Sequence, residues 1–350
     1  EDEEGEDEPG AVSEGHGPPP WERRRVRSGA EECEDRTAAC AGADPSGSRA
    51  AVRSSAAWAR NPGVAARLRG GRTVIPDRMR VARLYAWGDV RVEEEPVPSP
   101  GPGEALIRVT ACGVCGSDAL AWYVARKAPA VLGHEPVGVV VALGAGVSGV
   151  REGERVFVHH HAPCLACEEC RRGLWSNCAV WKRNQLRPGG FAEYAVVGAE
   201  SVARDTLVLP EGMPDEVGVF VEPLATCVRA LKRRGRLDAG DAVLVIGLGS
   251  MGQLLVSLAR AYGAGVVIGS DFVADRRERA LRRGADVVVD PADGAVGGRG
   301  SAGVDGADGA VGPVAEAVRE ATGGRGADVV VVCPGDARAI ASGLEAAAPG

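Results

Sequence analysis

Four cysteines crowded into one turn-rich stretch, APCLACEECRRGLWSNC, set the tightest limit on how this chain can fold. Cys164, Cys167, Cys170 and Cys178 follow the spacing C-x2-C-x2-C-x7-C. Four thiolates at that spacing can wrap one zinc ion tetrahedrally at ~2.3 Å, and with every position filled such a site is structural. Disulfides are the weaker alternative, because cysteines this close in sequence rarely reach disulfide geometry in pairs. The 350-residue chain has ten cysteines and no signal-peptide apolar core. Metal binding in a reducing cytoplasm therefore fits better than a secreted disulfide framework.

The remainder divides into three parts. Residues 1–78 open with EDEEGEDE and run through WERRRVRSG and AACAGADPSGSRAAVRSSAAWARNPG without helical or strand periodicity. Such a segment buries too little apolar surface to offset its ordering entropy, so a disordered leader is expected, with Met79 as the natural start. An interaction tail is the functional alternative, supported by composition alone. From 79 to about 225 short β-rich runs (ALIRV, VGVVVAL, RVFV, FAEYAVV) predict an irregular antiparallel barrel. From about 241 strands and helices alternate: AVLVI, MGQLLVSLARAYG, GVVIGS, ADRRERALRRG, ADVVV. That rhythm predicts a parallel, doubly wound sheet, and the domain division is 79–225 and 226–350. The Gly-rich stretch 291–312 reads as a flexible surface insertion. Only four strands of a sheet that normally has six are expected, so the pattern stops short of its C-terminal end.

At 45% apolar residues the chain can build two cores. A net charge of −7 offers no basic face to a nucleic-acid backbone, and no apolar run approaches the roughly 20 residues a bilayer requires. Nucleic-acid and membrane partners are not expected.

A second, dispersed set of donors consists of Cys115 in GVCGSD, His134 in LGHEP and Glu222 in VEPLA. One thiolate, one imidazole and one carboxylate leave a fourth zinc position open, as a catalytic centre needs. Taken singly each has an ordinary reading: a small core thiol, a packed histidine, a carboxylate at a helix start. Cys112 with Cys115 also spells C-x-x-C, but no thioredoxin-like βαβ context surrounds it. The run His159, His160, His161 reads as a strand end with exposed rings and is not counted among the sites.

Gly247, Gly249 and Gly252 in VLVIGLGSMGQLL follow an apolar run and open a helix. They permit a tight turn and bring a dinucleotide pyrophosphate against the free N–H groups of the helix start. Asp271 follows nineteen residues after Gly252, where a carboxylate can accept the two adenosine ribose hydroxyls and repel a 2′-phosphate. NAD is thereby favoured over NADP, although Arg276 and Arg277 keep NADP open and Asp271 has a second reading as a helix N-cap.

Read in order, GVCGSD, GHEP, the four-cysteine loop, PGGFAEY, EPLA and GLGSMG closely resemble the zinc-containing medium-chain dehydrogenases, across residues 79–350. The resemblance implies an α/β chain, a GroES-like catalytic domain joined to a Rossmann domain, and two zinc ions, one catalytic and one structural. It implies that Cys115, His134 and Glu222 hold the catalytic zinc, with Glu135 beside them as an alternative ligand. Asp118 would orient the zinc surroundings, Ser117 would pass the alcohol proton toward the cofactor ribose, and Thr226 would touch the nicotinamide. An acidic residue followed by Pro at Glu222 matches the sorbitol and threonine dehydrogenase branch, where simple alcohol dehydrogenases have Cys. The implied activity is hydride transfer from a secondary alcohol, polyol or amino alcohol to NAD, in a homo-oligomer when full length. A non-catalytic, truncated zinc-binding fragment of such an enzyme is the alternative.

Overall fold

Strand register is what positions the candidate site residues. The structure is a computed structural model that describes residues 68–69, 72–292, 296–298 and 312–349. The leader up to residue 67 and most of the Gly-rich stretch lie outside the described residues. The elements from β1 onward all belong to one unit, Ala65–Gly350.

Leu68–Arg69 (β1) and Arg72–Thr73 (β2) form a short antiparallel pair. Arg78–Ala86 (β3) lies between Asp89–Pro96 (β4) and Ala130–Val131 (β6) in a three-stranded sheet. Ordered chain reaches back ahead of Met79: β3 starts at Arg78, and Ile75 packs into the same cluster as Met79 and Val81. A second, antiparallel sheet has the order β10-β8-β7-β5-β9, built from Ala105–Gly113 (β5), Glu135–Leu143 (β7), Arg155–Val158 (β8), Tyr194–Val197 (β9) and Thr206–Val208 (β10). Successive side chains of a strand point to opposite faces. Ala105 and Ile107 of β5 accordingly join Val140, Val156 and Ala195 in one core, while Leu106 joins Met79, Val81 and Tyr194 in another. With both faces covered, β5 and its partner β7 are rigid mounts for whatever sits at their ends.

The second half is a sheet of order β14-β13-β12-β11-β15. Ala242–Ile246 (β11), Val266–Ser270 (β12), Val287–Val289 (β13) and Val329–Val332 (β15) are parallel. The chain moves from β11 to β12 to β13 and then returns to the far side of β11 as β15. The strand order therefore reverses at β11, and the crevice beyond its C-terminal end is where such sheets bind ligands. One expectation needs correction: the sheet has five strands, because Val296–Gly298 (β14) from the Gly-rich stretch pairs antiparallel with β13. An edge strand such as β13 presents unpaired N–H and C=O groups, and even a glycine-rich backbone can satisfy them.

The expected division at 225/226 falls inside a helix, Val221–Val228, that continues as a π-type stretch Arg229–Arg234. Val221 packs beside the Val137, Phe157 and Leu209 cluster of the antiparallel half. Cys227 and Leu231 are fully buried in the core of the parallel sheet with Val243, Val245 and Val256. Arg233 of the same stretch lies over Trp175 at 4.8 Å, and Arg229 donates to Ser176 Oγ at 3.3 Å, tying this helix to the four-cysteine lobe. Among the described residues no helix is long and apolar enough to cross a membrane.

Candidate metal centres and nucleotide cleft

The four-cysteine lobe is a string of short turns, with helices Glu168–Arg171 and Ala179–Arg183 starting directly after Cys167 and Cys178. Cys164, Cys167, Cys170 and Cys178 bring their sulfurs within 4.8 Å of one another, and all four are free thiols. Cys164 Sγ is 3.9 Å from Cys170 Sγ and 3.6 Å from Cys178 Sγ. A tetrahedron with ~2.3 Å zinc–sulfur bonds has edges of about 3.8 Å, so the donor set fits zinc. The N–H groups of Ala166 and Cys167 donate to Cys164 Sγ at 3.4 and 3.3 Å and lower its pKa. N–H donation from Cys164 and then Trp181 draws Cys178 down to about 6, whereas burial pushes Cys170 up to about 12.

The second centre assembles at the paired ends of β5 and β7, where Gly113 stands opposite Glu135 in register. Cys115 follows two residues after β5 and precedes a tight turn, Gly116–Ala119. His134 sits in the loop before β7, and Glu135 is the first residue of that strand. Donor atoms of Cys115, His134 and Glu135 lie within 4.8 Å of one another. Gly113 makes this possible: a Cβ there would come 1.9 Å from Glu135 Oε2. A hydrogen bond with His134 lowers the Cys115 thiol below its ordinary value, assisted by Ser117. Burial raises the Glu135 carboxyl, and the nearby Glu222 charge adds to it. Burial opposes the charged form of His134, but Cys115, Asp118 and Glu222 outweigh it and the pKa rises. Asp118 accepts from the Cys115 N–H at 3.3 Å through Oδ2, while its Oδ1 is buried without a partner, 3.8 Å from His134 Nδ1. A half-buried thiol and imidazole and a buried carboxylate, with an orphaned carboxylate oxygen beside them, fit a divalent cation such as zinc.

Two expected residues stand differently. Glu222 is close enough for its charge to act on His134 and Glu135, yet it is Glu135 that joins the cluster. The reason is its mounting: Glu222 belongs to the first turn of the helix Val221–Val228, where its Oε1 accepts from the Thr226 hydroxyl at 3.4 Å. Thr226 itself is exposed and is not among the residues lining the cleft at the ends of β11 and β12.

The histidine run is also not exposed. His160 lies 5.1 Å from His134 between ring centroids, and burial pushes its pKa down to about 2 and that of His161 to about 4. The run begins right after β8, so its first ring continues a buried strand; that is the signal the sequence offers. Tyr123 is a further neighbour, raised by burial and then by Asp118 and Cys115. Cys112 is pushed up to about 12 by burial, which is the opposite of what a redox dithiol requires.

At the C-terminal ends of β11 and β12 a cleft of about 870 Å³ is lined by Gly247, Gly249, Gly252, Asp271, Arg276 and Cys333, among others. Gly252 opens the helix Ser250–Ala261 so close to the preceding turn that a Cβ would stand 2.0 Å from the Gly247 carbonyl oxygen. Asp271 is buried, and its Oδ2 accepts from the Leu248 N–H at 2.7 Å, so the carboxylate props the glycine turn. Its Oδ1 accepts from the Val273 N–H at 2.8 Å, but Val273 is the residue that caps the helix Ala274–Arg283. Arg276 is half exposed at 3.4 Å from Asp271, whereas Arg277 is turned inward to Asp290 at 2.7 Å. Gly252→Val is expected to weaken NADH binding at least a hundredfold in a fluorescence titration, with zinc content unchanged; affinity within threefold would show that the turn does not carry the nucleotide.

Residues 101–210 match the alcohol dehydrogenase GroES-like domain, and residues 250–350 match the zinc-binding dehydrogenase family. The chain is 36% identical to an L-threonine 3-dehydrogenase of Pyrococcus abyssi over 75% of its own length and 71% of that protein. A sorbitol dehydrogenase of Bombyx mori is 34% identical over 59% of this chain and 61% of that one. Among solved structures, one described as a zinc-binding dehydrogenase of Sinorhizobium meliloti bound to NADP superposes with a TM-score of 0.65 at 31% identity, covering 78% of this chain and 75% of that one.

Proposed function

Because the chain belongs to the zinc-containing medium-chain alcohol and polyol dehydrogenases, we propose that it oxidises a secondary alcohol, polyol or amino alcohol with NAD as hydride acceptor. The observation that carries this reading is the convergence of Cys115, His134 and Glu135 at the end of a rigid strand pair. These three would hold the catalytic zinc, and Cys164, Cys167, Cys170 and Cys178 the structural one. A zinc ion held there would supply Lewis-acid polarisation of an alcohol oxygen, and a bound nicotinamide would be the hydride acceptor. The chain's own residues do the rest. Asp118, fixed by the Cys115 N–H, faces His134 and favours its present orientation. Ser117, which hydrogen-bonds to Cys115, would pass the alcohol proton on toward the cofactor ribose. Glu222 adds negative charge just outside the donor cluster, which disfavours anionic substrate groups there and favours neutral or cationic ones.

NAD is preferred in this reading because the carboxylate of Asp271, just after β12, would repel a 2′-phosphate. Arg276 beside it is the group that could reverse the preference. Asp271→Asn is expected to raise the ratio of NADP to NAD use, as kcat/KM, at least tenfold; an unchanged ratio would refute the assignment. The reading as a whole is tested by NADH formation from a panel of polyols and amino alcohols, alongside zinc content per chain. Absence of turnover with one zinc bound would favour the alternative, a non-catalytic zinc-stabilised chain.

A further inference from the structure

Between the two donor clusters lies a continuous stack of rings that neither cluster's chemistry explains. Cys178 of the thiol cluster leads directly into the helix Ala179–Arg183. Trp181 of that helix lays its ring against His161, with centroids 4.0 Å apart and planes 31° from parallel. His161 Nδ1 lies 2.7 Å from the carbonyl oxygen of Asn184, the residue that ends the same helix. On its other side His161 meets His160 at 3.7 Å, and His160 meets His134 at 5.1 Å. His159 closes the arrangement, standing edge-on to His160 at 4.9 Å with its own Nδ1 2.7 Å from the Asp205 carboxylate.

His160 is held by packing alone. Its Nδ1 is buried without a hydrogen-bond partner, and among the described residues its ring makes no hydrogen bond. A histidine that ligates a metal normally has its ring direction fixed by a hydrogen bond from the second nitrogen to a carboxylate or carbonyl. For His134 the carboxylate nearest that role, Asp118, stands 3.8 Å away, beyond hydrogen-bond reach. Asp118 therefore acts on His134 through charge alone, and packing against the His160 ring supplies the rest of its orientation.

We propose that Trp181, His161 and His160 are positioning residues for His134, so that metal affinity at the Cys115, His134 and Glu135 centre depends on the four-thiol lobe being loaded. This rests on the proposed function's assignment of two metal centres. With metal in the thiol cluster, the helix after Cys178 is anchored and presses Trp181 onto His161; without it, the helix is released and His134 loses its backing. The stack needs flat rings rather than polar atoms, which separates it from a hydrogen-bonding role.

The test is zinc binding by the full chain in competition with a chelator, read by elemental analysis. Cys115→Ser marks which of the two zinc ions belongs to the second centre. Trp181→Leu and His160→Ala are expected to weaken that zinc about tenfold while the thiol-bound zinc holds within twofold. Trp181→Phe and His160→Phe, which keep a ring, are expected to stay within about threefold of the parent. Unchanged affinity in Trp181→Leu and His160→Ala, or an equal loss in the phenylalanine variants, would overturn the proposal while leaving the two-centre reading intact. A parent chain that binds a single zinc would remove both together. Should Trp181→Leu lose the thiol-bound zinc by misfolding, the His160 pair alone decides the matter.

Discussion

Cys115→Ser is expected to lower kcat/KM for the alcohol substrate roughly a thousandfold and to reduce bound zinc from two ions per chain to one. The charge stabilisation that a cation gives a reacting oxygen is worth several kcal/mol, and each 1.36 kcal/mol is a factor of ten in rate. Serine is nearly isosteric with cysteine, but its hydroxyl stays protonated where the Cys115 thiol is already drawn toward the thiolate by His134 and Ser117. The fold should hold, since Cys115 lies beyond the end of β5 and makes no core contact in the clusters around Ile107 and Leu106. The measurements are steady-state kinetics and elemental analysis on the same preparation. Two zinc ions and full turnover in the variant would place the reaction elsewhere.

Cys178→Ser is expected to cost stability instead. Cys178 is fully buried, accepts from the Cys164 N–H at 3.4 Å and starts the helix that carries Trp181. Losing a structural metal belongs to the mechanisms that destabilise by about 4 kcal/mol or more. For a unit of this size that corresponds to a fall in Tm of about 7 °C. Limited proteolysis should then cut between Ala162 and Asn184 before any other described segment. A Tm within 2 °C of the parent and an uncut lobe would mean that the turns hold without metal.

The thiol cluster and the glycine turn are legible in the sequence because each depends on a short stretch of chain. Cys164 to Cys178 spans fifteen residues, and Gly247 to Gly252 directly follows an apolar strand. The choice between Glu135 and Glu222 is not legible there. Neighbouring residues of a strand point to opposite faces, so convergence of His134 and Glu135 is not to be expected from their spacing. They converge because His134 is still in the preceding loop while Glu135 has entered β7, and because Gly113 across the pair leaves room for the carboxylate. Burial of the histidine run escapes the sequence for a similar reason. Its last ring, His161, is covered by Trp181, which is twenty residues downstream and lies on a helix that starts directly after Cys178 of the thiol cluster. The fifth strand, too, comes from residues whose composition alone suggests a loop.

The helix Val221–Val228 is anchored at one end among Val137 and Phe157 and at the other, through Cys227, among Val243 and Val256. A strut with one foot in each core does not allow the two halves to swing freely, so any closing of the nucleotide cleft must be a small sliding or tilting movement. Glu222 sits on that strut, while Cys115, His134 and Glu135 are fixed to β5, β7 and their adjoining turns. A tilt of the strut would change the gap between the Glu222 carboxylate and the other three side chains, and with it the field at the candidate metal centre.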